Sequence, residues 1–135
     1  MILTYEALIG ESLVEHTKLT LLNEETLSYY IDPTQEWISL SRYPVIPYGT
    51  IQTDDILIYT LSHKEYEQNF IRNTFKKLDN IIDLEFKEMS HNNGSMLDIY
   101  HVNYSSNFKP NVVGMAIPQE SNSRSWWDIL WKDAE

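Results

Sequence analysis

Apolar and polar positions follow a short, strand-like period over most of the chain, and one stretch changes to a helical one. Thr26 to Ile31 (Thr-Leu-Ser-Tyr-Tyr-Ile) is closed by Asp32-Pro33. Lys18 to Leu22 precedes it across Asn23-Glu24-Glu25, and the two runs predict a hairpin. Glu36 to Leu40 reads as a third short strand. Residues 41–50 hold two prolines and a glycine and read as connecting structure. Ile56 to Leu61 is an apolar run rich in β-formers, as in a buried strand. From Ser62 the period lengthens. Ser62 and Glu65 have capping-box spacing, and Tyr66, Phe70, Ile71, Phe75 and Leu78 draw one apolar stripe on a helix reaching about Asn80. Lys76 and Lys77 sit in its last turn, where the helix dipole favours cations. Ile82 to Met89 returns to alternation and predicts a strand with one wet face. His91-Asn92-Asn93-Gly94 is a turn. Met96 to Tyr104, Val112 to Ile117 and Trp126 to Trp131 are three further strands, with Pro118 at the exit of the second.

A single helix between the strands at 56–61 and 82–89 predicts a right-handed β-α-β crossover with those strands parallel. The expected class is α+β (mixed α/β). A twisted, mainly parallel sheet of about five strands would carry one long helix after its first strand and an antiparallel edge strand. Residues 1–50 are expected to form an N-terminal extension of short strands, and residues 51–135 the main unit.

Composition narrows the function classes. A chain of 135 residues is one domain's worth, and 42% hydrophobic with 22% charged residues is ordinary globular usage. The formal net charge of −10 argues against nucleic acid and anionic membranes as partners, since both recruit Lys and Arg. The absence of cysteine removes disulfides, thiolate catalysis and Cys-based metal sites. No apolar run approaches the roughly 20 residues of a membrane span. Met1 to Gly10 carries Glu6 and no basic residue, so no N-terminal signal peptide of the Sec type is read there. Neither G-x-G-x-x-G nor G-x-x-x-x-G-K occurs.

The candidate chemistry is sparse. His16, His63, His91 and His101 have no metal-ligand spacing among them, and they read as solvated, turn or surface-strand histidines. Asp54-Asp55 and Asp83, Glu85 and Glu88 read as solvated acids rather than as a catalytic pair. Ser105 and Ser106 lack a His–Asp pattern. Trp126, Trp127 and Trp131 form a dense aromatic end. Position parity separates Trp127, Ile129 and Trp131 from Trp126, Asp128 and Leu130.

Ile58-Tyr59-Thr60-Leu61 is followed in turn by the helix Lys64 to Asn80 and by Ile82-Asp83-Leu84-Glu85-Phe86-Lys87-Glu88. Leu97-Asp98-Ile99, Gly114-Met115-Ala116 and Trp127-Asp128-Ile129 come after these. This order resembles the N-terminal half of a metzincin zinc peptidase domain, closest to the serralysin and matrixin branches, over about residues 55–133. In that family the next element is a helix bearing H-E-x-x-H-x-x-G-x-x-H, whose histidines hold zinc and whose glutamate activates water. The 135 residues contain no His-Glu pair and no His-x-x-x-His. The resemblance therefore implies a truncated zinc metalloendopeptidase fragment that is inactive as this chain. No catalytic or metal-binding residue is assigned in it, and zinc enters only if a C-terminal continuation supplies the helix. The resemblance also implies a substrate rim at Val113, Gly114, Met115, Ala116 and Ile117, where an edge strand pairs with an extended peptide. It leans toward secretion. The alternative is a non-catalytic acidic module that binds a protein or peptide along an exposed sheet edge. A third reading makes the tryptophans a sugar platform. The implied partner is a peptide or protein in the first two cases.

Overall fold

A computed structural model of the chain describes residues 25–40, 55–82, 84–106, 108, 111–121 and 124–133. The strands are β1 (Thr26–Ile31), β2 (Trp37–Leu40), β3 (Ile56–Leu61), β4 (Glu85–Met89), β5 (Leu97–Ser105), β6 (Gly114–Glu120) and β7 (Ser125–Trp131). The helix α1 (Glu65–Asp79) lies between β3 and β4. All seven strands join one mixed sheet.

β5 organises that sheet. Its nine residues include a stretch, Asp98 to Val102, buried on both faces. β7 runs parallel along one edge, with Leu97 to His101 opposite Trp127 to Trp131. The other edge is shared end to end. β1 pairs parallel with Leu97 to Ile99, while β3 pairs antiparallel with His101 to Ser105 through a bulge between Tyr59 and Thr60. β4 extends the sheet beyond β1 in parallel, β2 extends it beyond β3 antiparallel, and β6 extends it beyond β7 antiparallel.

The expected sheet of about five mainly parallel strands, with one long helix after the first, is not the one that forms. The protein is largely β among its described residues, with seven strands in a mixed sheet and one helix of 15 residues. Ile56 to Leu61 is not parallel to the strand after the helix and does not pair with it. It is antiparallel to both β2 and β5. The strand parallel to β4 is β1, so the connection between them holds β2, β3 and α1. The difference has a physical source. Ile56, Ile58 and Thr60 are buried while Leu57 is exposed, which is a one-faced strand. Apolar side chains on its wet face made it read as buried on both sides, the pattern of a parallel strand. The short strand at 36–40 is β2, and the strand at 82–89 is confined to Glu85–Met89. Lys18 to Leu22 and the connecting segment 41–50 lie outside the described residues.

The helix begins at Lys64, not Ser62, and its cap is made by Glu67. The Glu67 carboxylate accepts the Lys64 backbone N–H at 2.6 Å. Its apolar stripe is narrower than the spacing predicts. Ile71 and Phe75 pack on the sheet, whereas Tyr66 and Phe70 are exposed. The inward row is thus Glu67, which is buried, with Ile71 and Phe75, which are half-buried, at spacings of four that keep one helix face on the sheet.

Two cores result, one on each face of the β5–β7 pair. Under α1 lie Tyr29, Ile31 and Ile99, with Phe75, Phe86, Ile129 and Trp131 against them. On the other face Tyr100, Val102, Ile117 and Leu130 pack with Leu40, Ile56 and Ile58.

Candidate functional site

The C-terminal ends of β1 and β3 meet beside the middle of β5, and the chain leaving each of them supplies polar side chains there. Asp32 follows β1, its N–H bonded to the Ile99 carbonyl at 2.9 Å. Its carboxylate accepts from Thr34 Oγ1 at 2.6 Å and from the Thr34 N–H at 3.2 Å. Burial lifts the Asp32 carboxyl above its ordinary range, and the Thr34 bonds oppose that.

His63 follows β3 and is buried. Its Nε2 accepts the indole N–H of Trp131 at 3.0 Å. Indole N–H is a donor only, so Nδ1 must carry the imidazole proton and donate it to the Asp32 carbonyl at 2.8 Å. Both ring nitrogens are thereby used by a neutral ring. Burial, more than any neighbour, pushes the His63 pKa down, and His101 adds to the effect.

His101 is different. It stands on β5, only 3% exposed, stacked on the Trp131 indole with centroids 3.9 Å apart and planes 4° from parallel. Neither ring nitrogen makes a hydrogen bond. Nδ1 lies 3.7 Å from the Glu67 carboxylate and Nε2 lies 3.5 Å from that of Asp133. Glu67 is buried, and Asp133, just past β7, is exposed.

The expectation that His63 and His101 are solvated or surface histidines is therefore corrected: both are in the core. His91 is exposed, and His16 lies outside the described residues. Position parity could have found half of this, because it puts His101 on the face of Ile99. The approach of His63, 38 residues earlier, is a tertiary event. These residues do not fit the zinc site implied by the metallopeptidase resemblance. That site needs two histidines one turn apart on a helix, whereas α1 holds none and both His63 nitrogens are engaged.

On the opposite face of the same strands a second buried polar group forms. Asp98 and Asp128 are register partners. Ser95 Oγ donates to Asp98, while Gln119 Nε2 donates to Asp128 at 2.8 Å and Trp126 Nε1 does so at 3.3 Å. Burial raises Asp98 to about 7, opposed by Ser95 and raised further by Asp128. Burial likewise raises Asp128 to about 6. Arg124 stacks over Trp126 at 4.3 Å and donates to the Ser95 carbonyl at 3.2 Å.

The tryptophan platform does not form as one surface. Trp131 packs in the core under α1, and Trp126 is held by Asp128 and Arg124. The exposed aromatic row is elsewhere: Trp37 meets Tyr59 and Tyr104 edge-on at 5.2 and 5.6 Å. Of the remaining acids, Glu88 pairs with Arg72 and Asp55 accepts from Ser39. Asp54 and Asp83 lie outside the described residues.

The rim residues Val113 to Ile117 fall on and just before β6. No described strand covers its outer edge. The Lys132 N–H bonds to the Val113 carbonyl and the Ser121 N–H to the Arg124 carbonyl. By the alternation of an antiparallel ladder, Met115, Ile117 and Gln119 also bond inward to β7. Gly114, Ala116 and Pro118 then present their backbone groups outward. Met115 and Ile117 put their side chains in the core, leaving Gly114 and Ala116 as the exposed positions.

No protein-family model matches the chain, and no curated protein or solved structure matches it. No helix among the described residues is long and apolar enough to cross a membrane.

Proposed function

We propose that the protein is a peptide-recognition module that receives an extended segment along the outer edge of β6. What supports this reading is the edge itself. The N–H and C=O groups of Gly114 and Ala116 and the C=O of Pro118 have no ladder partner among the described strands, and the exposed positions carry no side chain at Gly114 and only a methyl at Ala116, too little to hinder an added strand. Pro118 lies at an outward position, where its missing N–H removes no bond to β7 and limits how far pairing extends. The net charge of −10 favours a basic segment.

Titration of the isotopically labelled chain with a basic, alternating Lys/Val peptide tests this by amide NMR. The Gly114 and Ala116 amides should shift and gain exchange protection. Ala116→Pro removes an outward donor and keeps the inward ladder, so it should weaken binding at least tenfold with little change in Tm. Shifts confined to other strands would overturn the reading.

A second reading, descent from zinc endopeptidases, draws support from the run of parallel strands β4, β1, β5 and β7 bounded by antiparallel β6. It uses the same edge as a substrate rim. Reading the coding DNA past codon 135 tests it: H-E-x-x-H downstream would sustain it, and its absence would remove it.

A further inference from the structure

We propose that Glu67, His101 and Asp133 form a site for a divalent transition-metal ion of the zinc class, separate from the β6 edge. One donor atom from each of the three lies within 4.8 Å of the others. Three observations carry the assignment beyond a cluster of acids.

The first is the state of His101. A ring 3% exposed, with both nitrogens buried and neither hydrogen-bonded, forgoes solvation without recompense in the folded chain. A neutral imidazole keeps one lone-pair nitrogen, and beside carboxylate oxygens, which are acceptors too, that nitrogen meets no hydrogen-bond donor and stands open to a cation. The second is spacing. The 3.7 and 3.5 Å separations from Glu67 and Asp133 are too long for good hydrogen bonds. Two donors about 2.0–2.2 Å from one tetrahedral ion stand roughly 3.4 Å apart, and an ion takes only one of the two His101 nitrogens; the three donor atoms lie within 4.8 Å of one another, so a small inward movement of the carboxylate beside the other nitrogen completes the set. Asp133 is 75% exposed by its side chain, which leaves it free to make the remaining adjustment.

The third observation is the support around the donors. The Lys64 N–H holds the Glu67 carboxylate, and Trp131 stacks on the His101 ring. Trp131 is fixed in turn by its bond to His63, which is anchored to the Asp32 carbonyl. Glu67 on α1 and His101 on β5 are thus oriented before any ion arrives, as outer-shell contacts do in metal sites.

One imidazole nitrogen and two carboxylate oxygens, without sulfur, suit zinc, cobalt(II), iron(II) or manganese rather than copper(I). Calcium is disfavoured, because it wants six or more oxygens. Three protein donors leave at least one position open to water. Asp133 lies on the solvent side of the cluster.

The test is titration of the full chain with Zn2+ by calorimetry and with Co2+ by visible absorption. The expected result is one saturable equivalent, a Co2+ spectrum of low coordination number and a Tm that rises with Zn2+. Asp133→Ala alters an exposed side chain and leaves the fold intact. It should weaken binding at least tenfold and abolish the Tm rise, and Glu67→Gln should do likewise. His91→Ala and His16→Ala should change nothing. Absence of binding at millimolar Zn2+ would overturn the site, as would binding that survives Asp133→Ala and Glu67→Gln or is lost with His91 or His16. Failure at this site is distinguishable from failure at the β6 edge, because Asp133→Ala should leave the Gly114 and Ala116 amide shifts unchanged.

Discussion

The two faces of the β5–β7 pair carry two buried polar groups of similar size and opposite character. On the face away from α1, Asp98 and Asp128 lie side by side, and Ser95, Gln119 and Trp126 all donate to them. Under α1, His63 is fully bonded while His101, 5.8 Å away by ring centroid, bonds to nothing. Burial alone does not distinguish a structural polar group from one prepared for a ligand; the count of satisfied donors and acceptors does. The acid pair offsets the cost of burial by accepting hydrogen bonds, and burial raises both carboxyls above their ordinary range. Neither nitrogen of His101 makes a hydrogen bond, and its surroundings make sense when a cation is supplied.

The largest test of this contrast is pH. Asp98 and Asp128 titrate at about 7 and about 6 in the folded chain, above their ordinary 3.8. The folded state therefore holds protons that the unfolded chain has released. Their contribution to stability is full below pH 4 and is lost as pH rises through 6 to 7, by on the order of 4 kcal/mol for Asp98 and about 3 kcal/mol for Asp128. His63 has the opposite sign. Its pKa is pushed below the ordinary 6.5, so its contribution is present above that value and lost as pH falls through the folded pKa. Urea denaturation of Asp98→Asn against pH should show most of the alkaline loss removed. An unchanged slope would mean that the pair is ionised and stabilised in another way.

Next in size is the difference between the two histidines. With chelator present, His63→Leu should cost about 2–3 kcal/mol, because it strands the Asp32 carbonyl and the Trp131 N–H. His101→Met keeps the volume and breaks no hydrogen bond, so the change should stay within about 1 kcal/mol. Equal losses at the two positions would erase the distinction between them. The smallest effect belongs to the surface. Arg72 donates twice to Glu88 at 2.7 and 2.8 Å, yet both side chains are partly solvated, so Glu88→Gln should cost only about 0.5 kcal/mol.

How far the sequence speaks differs from one residue to the next. The helix at 65–79 is legible from its period, because Ile71 and Phe75 must share a face. Tyr66 and Phe70 extend the same apolar pattern onto solvent, and that hid the fact that the inward row starts with Glu67. The turn at Gly94 is legible as well, since φ of +94° there is a conformation that an Asn-Gly step supplies at low cost. Among candidate site residues, Val113 to Ile117 stand out only through the family resemblance. His101 reads as a surface residue, because a lone histidine on a strand carries no mark of what will cover it.

The chain's own pattern determined that there would be strands near 26–31, 36–40, 56–61, 96–104 and 126–131, one helix with its basic end at Lys76 and Lys77, and two faces on the last strand. Those are local properties, written in periods of two and 3.6 residues. Only the tertiary structure decided that β1, rather than β3, lies between β4 and β5, and that β1 and β3 end against each other on the same edge of β5. Pairing is a choice among distant segments of similar apolar character, settled by the packing of the whole sheet. The gathering of His63, Glu67, His101 and Asp133 around Trp131 is a consequence of that choice.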